Sequence, residues 1–484
     1  RNGNVYLTCI PHLWLLRDND GNNQAEQRES LHNGYGVRVA FRGHDSHGLI
    51  LGPDNRLYFS IGDRGYNIKT DGKHFKNPQS GAVFRCDLDG SNLEVFATGL
   101  RNPQELAFDQ FGNLFTGDNN SDSGDRARWV YVVEGGDTGW RMEYQYLSDR
   151  GPFNREKIWH PYNEDTPAYI IPPIRNFADG PSGLVFYPGT GLGPEFDNRF
   201  LLCDFRGGPA NSGIRSFKLE PNGASYKMVD DQQPFWKILA TDLAFGADGT
   251  LYVSDWVNGW NGLGKGRIYS FTTTNEQART EGEDTERFLT SDLTEMSDKN
   301  LVKFLRHKDQ RVRLESHLEL AGRNSLKHLV FVASESDHQL ARLHSMWGLL
   351  VIARENIDQR PAVIDQLTEL SDDGDAEIRA LSARLLGELN ADSASDQLVS
   401  MLQDDSLRVR HLAATALSYL RAEESIMPLM NAIDENNNVD PVLRHGLILA
   451  LAANASDTHL VELAAKASPA QRLAIVVALR RQQS

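Results

Sequence analysis

The chain repeats one phrase, and that phrase limits what it can fold into: an apolar run, a turn of Gly, Asp and Asn, a second apolar run and a closing Asp. Its fullest copy is Gly48-Leu49-Ile50-Leu51-Gly52-Pro53-Asp54-Asn55-Arg56-Leu57-Tyr58-Phe59-Ser60-Ile61-Gly62-Asp63. Residues 106–118, 184–204 and 243–255 repeat it, closing on Asp118, Asp204 and Asp255. Apolar runs on either side of residues that tolerate positive φ predict β-hairpins. The copies recur about every sixty to eighty residues with further strand-like runs between them, so each has room for about four strands, the blade of a β-propeller. Four copies and the N-terminal run 5–10 predict about five blades of a six-bladed ring. A ring short of a blade leaves an exposed edge, so further chain is expected ahead of residue 1.

From about Thr285 the alphabet changes: Gly becomes scarce, and Leu, Ala, Arg and Glu recur at helical spacing. A second phrase returns around Arg313, Arg342, Arg379, Arg410, Arg444 and Arg472. Its period of about thirty to thirty-five residues is the length of two short antiparallel helices with their turns. Asp-rich turns such as Asp404-Asp405-Ser406 stand where side-chain oxygens cap helix N–H groups. The fold class is therefore multidomain β + α: a propeller over 1–272, a linker over 273–290 and an α-helical HEAT-like solenoid over 291–484. The last helix has no evident polar cap, so the chain is expected to continue.

With 484 residues the chain is long enough for two cores, and its formal charge of −16 argues against nucleic acid or an anionic membrane as partner. No apolar run is long enough for a membrane span, and the Arg1-Asn2-Gly3-Asn4 start is not a signal peptide. Cys9, Cys86 and Cys203 are too far apart for a zinc or iron–sulfur spacing, and no C-x-x-C-H haem site exists. Buried strand thiols are expected, one disulfide being the alternative.

In a propeller the residues flanking the repeated phrase converge on the axis. Those ahead of it are His44-Asp45-Ser46-His47, Arg101-Asn102-Pro103-Gln104, Asp179-Gly180-Pro181-Ser182 and Ala240-Thr241-Asp242. A His, an Arg and several carboxylates at one mouth are the parts for proton abstraction and anion binding. The repeated Asp63, Asp118, Asp204 and Asp255 are expected to mark hairpin architecture.

Residues 44–63, Gly99-Leu100-Arg101-Asn102-Pro103-Gln104 and Glu134-Gly135-Gly136-Asp137-Thr138-Gly139-Trp140 together resemble the soluble glucose/sorbosone dehydrogenases, six-bladed propellers that use pyrroloquinoline quinone (PQQ) and calcium. A propeller followed by HEAT repeats also resembles a planctomycete-type multidomain group that ends in a c-type cytochrome. The resemblance implies oxidation of a sugar or related alcohol by hydride transfer to the quinone, with electrons passed on to a cytochrome. It makes His44 the base, with His47 a second imidazole beside it, and Asp63 the carboxylate that orients the base. Arg101 and Asn102 become quinone contacts, with Asn119 and, more loosely, Arg206. Asp118, Asn119, Asn120 and Asp122 stand where the family presents oxygens to calcium, and hard oxygen ligands suit that ion. The pair of arginines the family carries near Leu239-Ala240-Thr241 is missing. Export to the periplasm or cell surface is likewise what the resemblance implies.

A second calcium candidate is the stretch 18–29, where Asp18, Asp20, Asn22 and Glu29 fall at positions one, three, five and twelve of an EF-hand loop with Asn23 in place of the Gly. A plain hairpin turn is the alternative. Trp256-Val257-Asn258-Gly259-Trp260 and the Gly-rich 206–213 are candidate walls of a sugar-sized pocket. Two functions stay open: a quinone-dependent dehydrogenase, or a non-catalytic propeller and solenoid scaffold that binds carbohydrate or protein, with the solenoid's concave face as partner surface.

Overall fold

The computed structural model describes residues 3–38, 43–142, 147, 155–157, 166–257, 259 and 264–483. The chain divides into two compact units, Arg1–Leu219 with Met228–Gly282, and Glu220–Lys227 with Glu283–Ser484.

Among the described residues the strands form six sheets, five of which follow one another in chain order. The first holds β1 (Asn4–Cys9), β2 (His12–Arg17) and β3 (Gln27–Asn33); the second β4 (Ser46–Leu51), β5 (Leu57–Ile61), β8 (Gly81–Cys86) and β9 (Glu94–Leu100). Two residues, β13 (Gly136–Asp137), add to β9 in parallel, and β6 (Tyr66–Thr70) and β7 (Lys73–Asn77) form a separate hairpin. The third sheet is β10 (Pro103–Phe108), β11 (Leu114–Asp118), β12 (Arg128–Tyr131) and β14 (Arg175–Asn176). The fourth is β15 (Gly180–Phe186), β16 (Phe200–Phe205), β17 (Gly213–Asn222) and β18 (Ser225–Trp236), and the fifth β19 (Ala240–Phe245), β20 (Leu251–Asp255) and β21 (Arg267–Phe271). The first strands β4, β10, β15 and β19 pack one against the next.

The repeated turns explain the hairpins. Asp109 Oδ1 accepts from the N–H of Phe111 and Asn113, each at 2.9 Å, and Asp248 Oδ1 accepts from Thr250 N at 2.9 Å. Gly112 and Gly249 supply φ of 83° and 78°, which L side chains seldom adopt. In the first copy Asn55 takes that conformation, and Asp54 accepts from Tyr58 Oη at 2.9 Å.

The cores lie between successive sheets, and this makes the array a propeller. Leu57 and Phe59 of β5 point to the core shared with Leu13 of the first sheet, while Tyr58 points to the core shared with Leu106, Phe108 and Leu114 of the third. Strands buried on both faces must read as continuous apolar runs, as β5 does. Between the third and fourth sheets, Phe200 meets Phe115 and Trp129 edge-on at 5.2 and 5.1 Å. Leu201, Cys203 and Ile214 pack on Leu243, Leu251 and Val253 of the fifth.

The segment expected as a linker carries a helix, α1 (Glu276–Leu289), because Ala278, Thr285 and Phe288 form an inward stripe on an otherwise polar sequence. The unit boundary falls within α1, after Gly282, and the second unit holds α2 (Asp298–Phe304), α3 (Gln310–Gly322), α4 (Leu326–Glu335), α5 (Gln339–Glu355), α6 (Arg360–Leu370), α7 (Ala376–Glu388), α8 (Ser395–Ser400), α9 (Leu407–Leu417), α10 (Ile426–Asn436), α11 (Pro441–Asn454), α12 (Asp457–Ala464) and α13 (Pro469–Gln482). Asp309, Asp375, Ser406 and Asp440 cap the longer, more buried helices of each pair. The recurring arginines tie one repeat to the next: Arg342 binds Asp373, and Arg379 grips Asp404 at 2.7 and 3.0 Å. Gly387 lets α7 approach α9, since a Cβ there would meet Ala416 Cα at 2.6 Å.

Cys86 and Cys203 are buried strand thiols, but Cys9 is exposed at the end of an edge strand, and all three are free. No helix of the described residues is long and apolar enough to cross a membrane. Phe200→Ala is expected to lower propeller stability by about 3–5 kcal/mol, measured by urea unfolding, because its aromatic neighbours Phe115, Trp129, Phe186 and Phe217 cannot close the space it leaves.

Candidate active site

Strand register separates the architectural carboxylates from the rest. Ser46 pairs with Ile61, Pro103 with Asp118, Pro181 with Asp204 and Ala240 with Asp255. Asp118, Asp204 and Asp255 therefore share the position of Ile61, and Asp63 lies two residues further on, outside the repeat to which its sequence spacing assigned it.

Asp118 is fully buried and accepts from Arg101 N at 3.0 Å, from Asn102 N at 2.7 Å and from the Arg128 guanidinium. Asp204 does the same one sheet later, with Asp179 N at 2.9 Å and Arg215 Nε at 2.7 Å. This repeated Asp fastens the loop that leads into its own sheet's first strand.

Those loops deliver His44, Arg101 and Asp179 to equivalent points, two residues ahead of Ser46, Pro103 and Pro181. His44 Nδ1 lies 2.9 Å from Asp63 Oδ1, and Asp63 Oδ2 accepts from Trp140 Nε1 at 3.0 Å. Asp63 is 1 % exposed and His44 14 %, so the carboxylate is sealed in and the ring is reachable. An ionised carboxylate only accepts, hence Nδ1 carries the proton and Nε2 presents a lone pair. His47 differs: its Nε2 donates to Gly43 O at 2.8 Å, and burial holds its pKa below the usual imidazole range. Gly62 makes the cluster possible, because a Cβ there would lie 2.7 Å from His44 O and 2.8 Å from Asn102 Oδ1.

Beside this group Arg101 lies with its guanidinium 5.5 Å from the centre of the Trp140 ring and gives Nη2 to Asp122. Its Nε and Nη1, and both side-chain polar atoms of the fully buried Asn102, are buried without a hydrogen-bond partner among the described residues. Unsatisfied buried donors are expensive, so a set of them on one loop marks a place where a polar ligand fits.

The residues expected to hold calcium do not assemble. Asp118 spends its oxygens on two backbone N–H groups and Arg128, and Asp122 pairs with Arg101. Asn119 Oδ1 accepts from Asn120 N at 2.9 Å, and Asn120 Nδ2 donates to Asp179 Oδ1 at 2.6 Å. Arg206 is turned to Asp204 at 2.9 Å, away from the role of a free cation.

In the second loop Glu29 sits on β3 and pairs with Arg17 at 2.8 Å, because the β2–β3 ladder draws it out of the turn. Asp18, Asp20 and Glu26 are grouped instead, while Asp18 and Asp20 accept from Asn22 N and Asn23 takes φ 64°, as a hairpin turn requires. Trp256 stacks on Phe205 at 5.6 Å as part of the packing; Asn258 and Trp260 lie outside the described residues.

Sequence reasoning assigned no role to Trp140 or Arg128, although Trp140 stands inside a quoted motif. It also passed over Glu105. By register Gly48, Glu105, Gly183 and Asp242 are one position on four first strands, each at or beside a bulge. Gly183 gives Asp242 its room, since a Cβ there would lie 2.7 Å from Asp242 Oδ1.

Burial, and then the charge of Asp242, push the Glu105 carboxyl from 4.5 up to about 8. A raised carboxyl pKa contributes stability that is complete below the unfolded value and lost as pH rises through about 8. Glu105→Gln is therefore expected to match the parent near pH 4.5 and to exceed it by about 1–2 kcal/mol above pH 8 in pH-dependent urea unfolding.

Among curated proteins, the chain is 30 % identical over 135 residues to quinoprotein glucose dehydrogenase B of Acinetobacter calcoaceticus, a match covering 22 % of this chain and 28 % of that protein. Among solved structures, it aligns with a glucose dehydrogenase at 14 % identity and TM-score 0.41, covering 56 % of this chain and 79 % of the other. It also aligns with the PQQ-bound aldose sugar dehydrogenase of Streptomyces coelicolor at 18 % identity and TM-score 0.36, covering 55 % and 74 %. The model for HEAT repeats matches residues 364–452. A second family model covers residues 1–260, more than half of the 484, and by that match the chain belongs to the family described as a domain of unknown function, DUF7133.

Proposed function

We propose that the propeller unit is an oxidoreductase that removes hydride from a sugar or related alcohol, with His44 as the base. The observation that carries this is the Asp63-held imidazole, whose Nε2 makes no hydrogen bond among the described residues, beside the donors of Arg101 and Asn102 that have no partner there. Similarity over 135 residues to a quinoprotein glucose dehydrogenase supports the same class.

The donor set fits PQQ in part. Arg101 is well formed to meet a carboxylate or a quinol oxygen, and Asn102 offers a donor and an acceptor in fixed positions. PQQ, when bound, supplies the acceptor for the hydride. The loop 118–122 is a poor fit for calcium, because Asp118 gives both oxygens to Arg101, Asn102 and Arg128 and Asp122 gives Oδ2 to Arg101, and no step is derived through that ion.

The chain's own groups then act as follows. His44 Nε2 takes the hydroxyl proton as the C–H bond breaks, and Asp63 stabilises the imidazolium that forms. Trp140 holds the second oxygen of Asp63, which fixes the plane of the carboxylate and through it the ring. Arg101 opposes negative charge that develops at the acceptor end of the site.

One observation favours a second reading, a non-catalytic scaffold that binds carbohydrate or protein. Where a trianionic cofactor would need cations near 239–242, the chain places Asp242, with Glu105 at the equivalent position.

Reconstitution of the full chain with PQQ, with and without calcium, followed by dye reduction on a panel of aldoses and alcohols, separates the two. The oxidoreductase reading expects turnover that falls at least about 100-fold in His44→Ala while quinone binding is kept. No turnover with any substrate in a protein that holds the quinone would leave the scaffold, and full activity in His44→Ala would remove the base from His44.

A further inference from the structure

The solenoid buries imidazoles against each other. His317 on α3 and His344 on α5 are 0 % and 4 % exposed, their Nδ1 atoms are 2.9 Å apart and their ring centres 5.1 Å apart. Such a contact needs opposite tautomers, one Nδ1–H donating to the lone pair of the other. Two doubly protonated rings cannot make it, because both Nδ1 atoms then carry hydrogen.

The charged groups that bear on His344 besides His317 are Arg313 and His338, and the buried Asp309 faces Arg313. On α3 the charged neighbour is Arg313, buried and donating Nη1 to His307 O and Lys308 O, each at 2.7 Å. At the start of α5 it is His338, whose Nδ1 accepts from Ala341 N at 3.2 Å. The helix α4 brings Leu329, packed against Gly348, and from α7 Arg384 lies 4.9 Å from the Trp347 ring centre. The turn after α6 brings Asp373, which is bound to Arg342.

Further along, His411 on α9 is buried without such a contact: its Nδ1 has no hydrogen-bond partner among the described residues and lies so close to Gly446 on α11 that a Cβ there would be 2.7 Å away. Burial first, then Arg313 and His317, hold the His344 pKa well below the ordinary imidazole value, and burial, His445 and Arg408 push that of His411 down to about 3.

We propose that the His317–His344 contact is an acid-sensitive joint of the solenoid, closing α3 on α5 while the rings are uncharged and releasing them when both are protonated. The sign follows from linkage. A depressed imidazole pKa leaves stability complete above about 6.5, the unfolded value, and removes it as pH falls below.

Hydrogen–deuterium exchange of the full chain at about pH 7.5 and pH 5, corrected for intrinsic rates, tests this. The expected result is at least a tenfold loss of protection in α3 and α5 on acidification, with strands such as β5 and β8 unchanged. The double substitution His317→Gln, His344→Gln, which keeps amide partners that do not titrate, is expected to abolish the loss. Unchanged protection in the parent, or the same loss in a folded double variant, overturns the joint. Should the variant not fold, histidine C2-proton exchange on the parent decides: a His344 midpoint below about 5.5 supports it, and one at or above about 6.5 overturns it.

Discussion

Asp118 is sealed from water at the end of an inner strand, and the candidate site is hung from it. Its two oxygens accept the backbone N–H of Arg101 and Asn102 and the guanidinium of Arg128, a cation whose pKa burial pushes well down. A charge-assisted network of this kind is tolerable in a core only when every partner is present, since removing one leaves an uncompensated buried charge. What it secures is direction: the peptide between Arg101 and Asn102 is held so that Arg101 O accepts from Asp63 N at 2.7 Å. The loop that offers donors and the loop that offers the base are thereby tied at the backbone, before any side chain of the site is considered.

That tie divides the carboxylates by role. Asp118 and Asp204 serve the hairpins, and Asp63, displaced by two positions, serves His44. Conformational precision of this order matters because general-base catalysis depends on a single lone pair held in one direction. Here Asp63 and Trp140 set that direction from the Nδ1 side, while Nε2 makes no hydrogen bond among the described residues.

Much of the fold was legible in the sequence because its signals are local. Alternating apolar runs, Asp-x-x-Gly turns and the later helical period each act within a few residues, and the propeller and the HEAT repeats follow from them. The helix within the segment 273–290 was not legible because the stripe Ala278, Thr285 and Phe288 is too sparse to stand out from the Glu and Arg around it. The site was less legible for a different reason. A count along the chain aligned Asp63 with Asp118, whereas ladder register does not: Ile61 pairs with Ser46 as Asp118 pairs with Pro103, which leaves Asp63 two residues beyond its strand. Glu29 failed as a loop ligand for the same cause, since strand pairing with β2 placed it opposite Leu15. Asp242 was named among the residues flanking the phrase, but its partner Glu105 has no motif at all and becomes visible only when four strands are superposed by register.

The account rests on the claim that the mouth formed by Arg101, Asn102 and His44 is a binding site for a polyanionic, carbonyl-rich cofactor. Its most direct measurement is equilibrium titration of the full chain with PQQ, followed by quenching of tryptophan fluorescence, in the parent and in Arg101→Met. Loss of one charge-assisted contact of about 1.5–3 kcal/mol predicts saturable binding weakened at least about tenfold in the variant. Absence of saturable binding in the parent, or equal affinity in the two proteins, would contradict it.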